Sequence, residues 1–242
     1  MKKIFLLLLI LIILISGCVS QERTAHLLPL KIDFKKEEKF IYGIYKEKRI
    51  GEVKIFLKEM GEKDFKKEKV VMFRSLFSYP DTSIENKVLL YKKNFLPITH
   101  SKIIKNKKNT VEIYAEYLPN FMKIKLKKNN KNKDIVVETS GKSYDNETFL
   151  FVLRYLQFEK ISDDEISTSV EIPQIASSAN FKIKLDKNKE EIETKSGKFK
   201  CLKLKITVDG KVYHTAYYSL EKPNYLIKYE NEKGKYILEK IE

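Results

Sequence analysis

At 242 residues, with 14 Phe, 14 Tyr and no Trp, the chain is long enough to bury one full core, and no Pro-, Gly- or Ser-rich linker divides it. The formal charge of +15 comes almost wholly from lysine. These lysines alternate with apolar residues, as at Lys123, Lys125 and Lys127, which puts them on the wet faces of strands; with no binding motif beside the charge, a nucleic-acid partner is not expected.

The chain opens on Lys2 and Lys3, an unbroken apolar run from Ile4 to Ile15, and Ser16-Gly17-Cys18. The run is too short for an ordinary spanning helix, which needs about 20 apolar residues. Its charged start and small-residue close read as a lipoprotein signal peptide over 1–17, ending in a lipobox. Only a thiol accepts a thioether-linked diacylglycerol, so Cys18 is the expected lipidation site and membrane anchor. A plain signal peptide or an uncleaved anchor is the competing reading. Cys201 is then left without an intramolecular partner, in a strand-like run with no metal-ligating neighbour, and is expected to be a structural thiol. Residues 18–37 read as the lipidated N-terminus and a tether, polar but for Leu27, Leu28 and Leu30. Val19 in place of aspartate implies the periplasmic face of the outer membrane in a diderm host; in any other, the outer face of the cytoplasmic membrane is expected.

From residue 38 to 242 a single antiparallel β domain is expected. Phe40–Tyr45 and Ile50–Leu57 form a first hairpin around a charged turn. Strands follow at Val70–Tyr79, Lys87–Lys92, Ile98–Lys105, Thr110–Tyr117, Met122–Leu126 and Ile135–Thr139, alternating apolar with polar residues. The period then changes. Asp145 is placed to cap a helix over Glu147–Gln157 that is apolar nearly all round, broken only by Glu147, Arg154 and Gln157. Such a helix must be covered on most sides, so the fold class is mainly β: a strongly curved antiparallel sheet or half-barrel enclosing an apolar helix near residues 145–157. Lys160–Asn180 is acidic and Ser-rich and reads as an irregular crossing. Strands resume at Phe181–Leu185, Glu191–Thr194 and Phe199–Val208. Asp209-Gly210 turns into Lys211–Leu220, and Tyr225–Tyr229 and Tyr236–Ile241 finish the chain.

Catalytic motifs are missing. The sequence has no phosphate-binding glycine loop, nucleophile elbow or paired-histidine zinc helix, and His26, His100 and His214 stand apart without ligand spacing. Asp186, Asn188 and Glu190 lack the glycine of a calcium loop and read as a solvated hairpin tip. No enzyme activity, cofactor or metal is therefore expected. The apolar residues allow two outcomes: a fully packed core, or an incomplete closure leaving a cleft for an acyl chain or an apolar segment.

Several segments, in order, resemble a family of exported bacterial proteins, domain of unknown function 3108. They are Tyr42-Gly43-Ile44-Tyr45 with Ile50-Gly51-Glu52-Val53, then Phe95-Leu96-Pro97, Tyr144-Asp145 and Val152-Leu153-Arg154-Tyr155. Later come Glu191-Ile192, Gly197-Lys198-Phe199-Lys200-Cys201 and Tyr217-Tyr218-Ser219-Leu220-Glu221 with Pro223. The late strand often carries tryptophan in that family where this chain has Tyr217 or Tyr218. The family implies no activity. Tyr217–Tyr236 also resembles the closing hairpin of the lipoprotein-carrier superfamily, whose curved half-barrel with helices in its mouth implies handling of lipid or lipidated partners.

Together these readings point to a non-enzymatic, membrane-anchored envelope lipoprotein. A lipid or acyl chain would be lined by Phe149, Val152, Leu153, Leu156, Tyr217 and Ile227, with Arg154 meeting a headgroup. The alternative is a structural or interaction module with a filled core and an envelope protein as partner.

Overall fold

A computed structural model describes residues 27–34, 36–61, 68–129, 131–161 and 165–242. The signal peptide, Cys18, the first part of the tether and His26 lie outside the described residues. Among the described residues, no helix is long and apolar enough to cross a membrane.

Fifteen strands among the described residues form one open, curved sheet. Eight run consecutively: β1 (Glu37–Tyr45), β2 (Arg49–Met60), β3 (Val70–Ser78), β4 (Thr82–Tyr91), β5 (Pro97–Asn106), β6 (Thr110–Tyr117), β7 (Phe121–Lys128) and β8 (Lys131–Glu138). A two-residue strand β9 (Tyr144–Asp145) leads into helix α1 (Phe149–Leu153). The second run is β10 (Ile166–Ile172), β11 (Ser177–Thr194), β12 (Gly197–Val208), β13 (Val212–Ser219), β14 (Leu226–Asn231) and β15 (Gly234–Ile241). The order is β8 through β1, then β15 down to β9, so pairing of β1 with β15 joins the two meanders. Every neighbouring pair is antiparallel except β9–β10.

Period-2 alternation decides which residues enter the core. Phe40, Tyr42 and Ile44 on β1, Val53, Ile55 and Leu57 on β2, and Val71 and Phe73 on β3 are buried together with the side chains of α1. Phe151 of α1 packs its ring against those of Phe40, Tyr42 and Phe73, at centroid distances of 5.8, 6.1 and 5.4 Å. A second, smaller core joins Ile113, Ala115, Met122 and Ile124 of β6 and β7, packed by Ala176 at the β10–β11 turn. The outer face of β6 and β7 is wet, with Glu112 opposite Lys127 and Glu116 opposite Lys123.

Four expectations are corrected. The helix is five residues long, not eleven: Thr148 is its N-cap and makes no side-chain cap bond. Tyr155 N–H and Leu156 N–H bond three residues back, to Val152 and Leu153. Phe, Val and Tyr are only moderate helix formers. Leu156 is instead captured by a β-bridge to Leu30. That capture also shortens the tether, because Leu28 and Phe34 are buried and Lys31 N–H bonds Tyr155 O at 2.8 Å. Within Lys160–Asn180, read as irregular, β10 pairs along its whole length with β11. Asp186–Glu190 is a register shift inside β11 rather than a hairpin tip. At Asp209-Gly210, by contrast, both residues take positive φ, 49° and 69°, as a primed hairpin turn requires.

Candidate functional site

The expected lining residues do not share one surface. Val152, Leu153, Tyr217 and Ile227 are packed into the main core. Leu156 is also buried; with Arg154 it borders a cavity of about 490 Å³ that includes Lys31, Asp33, Phe158 and Lys222. Phe149 lines an apolar cleft beside the helix.

Arg154 is 2% exposed and meets a carboxylate rather than solvent: Nη1 donates to Glu38 Oε2 at 2.6 Å, and Nη2 to Oε1 at 3.4 Å. The rings of Phe40, Tyr155 and Tyr225 surround its guanidinium at 5.2, 5.1 and 5.2 Å. A cation so enclosed needs both its counter-ion and the ring faces to offset lost hydration. The group locks the end of α1 to β1.

Two clefts open beside α1. The first, about 380 Å³, lies between Phe149 and Leu150 of α1, Phe181 of β11, Ile206 and Val208 of β12, and His214 and Tyr229. The second, about 280 Å³, is walled by Val53, Ile55, Phe73, Phe77, Phe151 and Tyr236. Asn146, Leu150, Tyr229 and Asn231 border both, so the clefts adjoin there. Mostly apolar walls with a few placed polar groups are the usual make-up of a small-molecule site, commonly about 300–1,000 Å³.

A buried polar seam forms the floor beside the second cleft. In the inward-facing register of the sheet, Ile55 of β2 is followed by Ser75, Asn86 and Lys102 on β3, β4 and β5. His100, two residues before Lys102, is fully buried. Asp145 at the far end of the sheet order meets this polar strip: its Oδ2 accepts from His100 Nδ1 at 2.8 Å and from Tyr117 OH at 2.5 Å, while its Oδ1 accepts Glu147 N–H at 2.9 Å. Glu147 Oε1 accepts from Lys102 Nζ at 2.6 Å and Gln174 Nε2 at 3.4 Å. Side chains thus tie the β9–α1 segment to β5 and β6. Burial alone would depress the His100 pKa, but the charge and hydrogen bond of Asp145 overcome it and lift it above 6.5. Burial would likewise raise Asp145, yet His100 and the donated hydrogen bonds hold its pKa below 3.8. The contact favours the charged form of each partner, and both side chains are sealed from solvent.

Period-2 alternation could have found these residues. His100 and Lys102 fall on the same face of β5 as buried Ile98, and Asn86 on the same face as Val88 and Leu90. Cys201 is fully buried, and burial pushes its thiol up to about 12, as expected of a structural cysteine.

Among solved structures, the β-barrel-like protein of domain of unknown function DUF1849 from Brucella abortus is similar over 90% of this chain and 98% of that one. The TM-score is 0.54 and the identity 9%, a likeness of fold alone. An exported-protein candidate with a YmcC-like fold from Bacteroides fragilis NCTC 9343 aligns over 89% of this chain and 99% of that one, at 8% identity and a TM-score of 0.28. No curated protein matches the sequence. Residues 76–238 match the family described as protein of unknown function (DUF3108), and the chain belongs to that family.

Proposed function

We propose that this protein is a non-enzymatic envelope lipoprotein, anchored through diacylglycerol on Cys18, whose body binds an acyl chain beside α1. The carrying observation is the pair of adjoining apolar clefts bordered by Leu150 and Tyr229. An acyl chain gains about 0.8 kcal/mol for each CH₂ it buries, and the first cleft offers Phe149, Phe181, Ile206 and Val208 to bury it against. The non-enzymatic reading rests on the missing catalytic motifs of the sequence; Asp145, His100 and Cys201 are buried, and burial pushes the Cys201 thiol up to about 12. The short apolar run and lipobox support export and anchoring.

Two measurements test this. Cys18→Ser should move the protein from the membrane to the soluble fraction and abolish incorporation of labelled palmitate; membrane retention without label would refute the anchor. The mature chain carrying Cys18→Ser, purified without detergent, should retain adducts of lipid mass in native mass spectrometry. Phe181→Asp should remove those adducts without changing far-UV circular dichroism. A bare protein mass after incubation with lipid extract would refute the cleft. It would favour the interaction module, which has its own support in β8, the last strand on its side of the sheet, where Val136 is 66% exposed.

A further inference from the structure

We propose that the two clefts form one forked site for an uncharged ligand with two acyl arms joined by an ester- or amide-bearing linker, which rests where Asn146, Leu150, Tyr229 and Asn231 border both. This rests on the acyl-cleft reading above and specifies its ligand class.

Two apolar spaces of about 380 and 280 Å³ meet at one border, and that border is where the polar side chains gather. A single unbranched chain would place methylenes against these polar groups. A linker with its own polar atoms would not.

The hydrogen-bond directions define what the linker must offer. Asn231 Oδ1 accepts Lys233 N–H at 2.8 Å, which orients the amide so that its Nδ2 donates to Tyr229 OH at 3.0 Å. Tyr229 OH, accepting from Asn231, keeps its own proton to offer to His214 Nδ1, its hydrogen-bond partner. His214 is half-buried, and burial holds its pKa below 6.5, which favours the neutral ring; in the tautomer that accepts from Tyr229, its proton is on Nε2. That tautomer gives the first cleft a neutral N–H donor, suited to a carbonyl acceptor. Asn146 adds an acceptor: its Nδ2 donates to Glu147 Oε1 at 3.2 Å, which identifies the other amide atom as Oδ1, buried without a partner among the described residues. A hydroxyl or amide N–H on the linker, with a small shift of that side chain, would satisfy it.

Charge argues against a free fatty acid. The charged side chains lining the clefts are Glu147, already bound to Lys102, and the chain neighbours Glu232 and Lys233. Lys233 and Glu232 are exposed at the rim of the first cleft, so a carboxylate drawn past them into the apolar interior would lose its hydration without an unshared buried cation to meet it.

The test compares 1,2-dioctanoylglycerol with hexadecanoic acid, which carries the same number of acyl carbons on one charged chain. Binding to the mature chain carrying Cys18→Ser is read by displacement of a fluorescent apolar dye, with native mass spectrometry giving stoichiometry. At pH 7.5 dioctanoylglycerol should bind one to one and about tenfold more tightly than hexadecanoate, given the cost of an unpaired buried carboxylate. His214→Phe keeps the ring stack and removes the donor, and should weaken dioctanoylglycerol about fivefold while leaving hexadecanoate unchanged. Leu150→Trp fills the border and should abolish the preference while one chain still binds; circular dichroism confirms that each variant is folded. Equal or tighter binding of hexadecanoate to the unaltered site would overturn the forked, uncharged site and leave the acyl-cleft reading standing. Binding of neither ligand would sink both.

Discussion

Glu38→Gln removes one charge from a pair that has almost no water. In the folded chain Glu38 is 6% and Arg154 2% exposed, with the guanidinium held by both carboxylate oxygens and faced by three rings. Breaking a buried pair by removing one partner costs about 3–5 kcal/mol, because the remaining ion stays uncompensated. Three ring faces soften that loss, since a desolvated cation over an aromatic ring gains up to about 2 kcal/mol. The lower end, about 3 kcal/mol, is therefore expected. The assay is urea unfolding at pH 7, read by far-UV circular dichroism, comparing midpoints at constant slope. Adding Arg154→Met to Glu38→Gln removes the stranded charge and keeps the packing of the stem, so the double variant should be more stable than Glu38→Gln alone. A loss below about 1 kcal/mol for Glu38→Gln, the value of an exposed pair, would refute a desolvated lock.

The polar seam predicts a two-sided pH dependence. His100, raised above 6.5, contributes fully below that value, and its contribution fades as pH climbs through the raised pKa. Asp145, lowered below 3.8, contributes fully above that value, and its contribution fades as pH falls through the depressed pKa. Urea midpoints should therefore fall at both limbs, and His100→Gln should flatten the alkaline one; an unaltered alkaline limb would contradict the assignment. Cys201, buried with its thiol pushed up to about 12, should resist a thiol reagent in the native protein and react stoichiometrically in urea, whereas native labelling would show the strand opening. Gly141 sits at φ +66°, and a Cβ there would lie 1.7 Å from Pro119 O, so Gly141→Ala should lower stability by at least about 1–3 kcal/mol in the same urea assay. An unchanged midpoint would refute that backbone geometry.

The sheet was legible in the sequence wherever one face of a strand is apolar. Thr110–Tyr117, read from Val111, Ile113 and Ala115, has the same limits as β6, and Val70, Ile98 and Phe199 lie inside strands that differ from their expected spans by a few residues. β10 escaped because it is buried on both faces and carries polar side chains on each, Thr168 on one and Ser169 and Glu171 on the other; a Ser- and Glu-bearing stretch reads as loop unless its polar surroundings are known. The helix was overextended for a related reason. Tyr155 and Leu156 continue an apolar helical face on paper, but Pro29 O and Leu30, more than a hundred residues away, take up the backbone that another turn would need. Of the expected ligand set, apolarity identified residues that are inside, but a cleft wall differs from a core only by incomplete cover. Local pattern carries no information on cover, so Val152, Leu153 and Ile227 were indistinguishable from Phe149 and Leu150.

The short segment 144–153 joins the two features of greatest interest. Asp145 and Glu147 bind His100, Tyr117 and Lys102, while Asn146 and Leu150, one and three residues further on, border both clefts. Strand pairing of β9 extends over only two residues of β10, so the segment is held mainly by those side chains and by Phe149, Phe151 and Leu153 in the core. The seam can be neutral to the core's stability and still decide the width of the clefts, because buried charged groups have few alternative partners and so specify one position. That consequence separates the two readings of the protein. If the interior binds a ligand, Asp145→Asn should alter acyl affinity more than Gly141→Ala at matched loss of stability. If the body is only an interaction module, the two substitutions should act through unfolding alone.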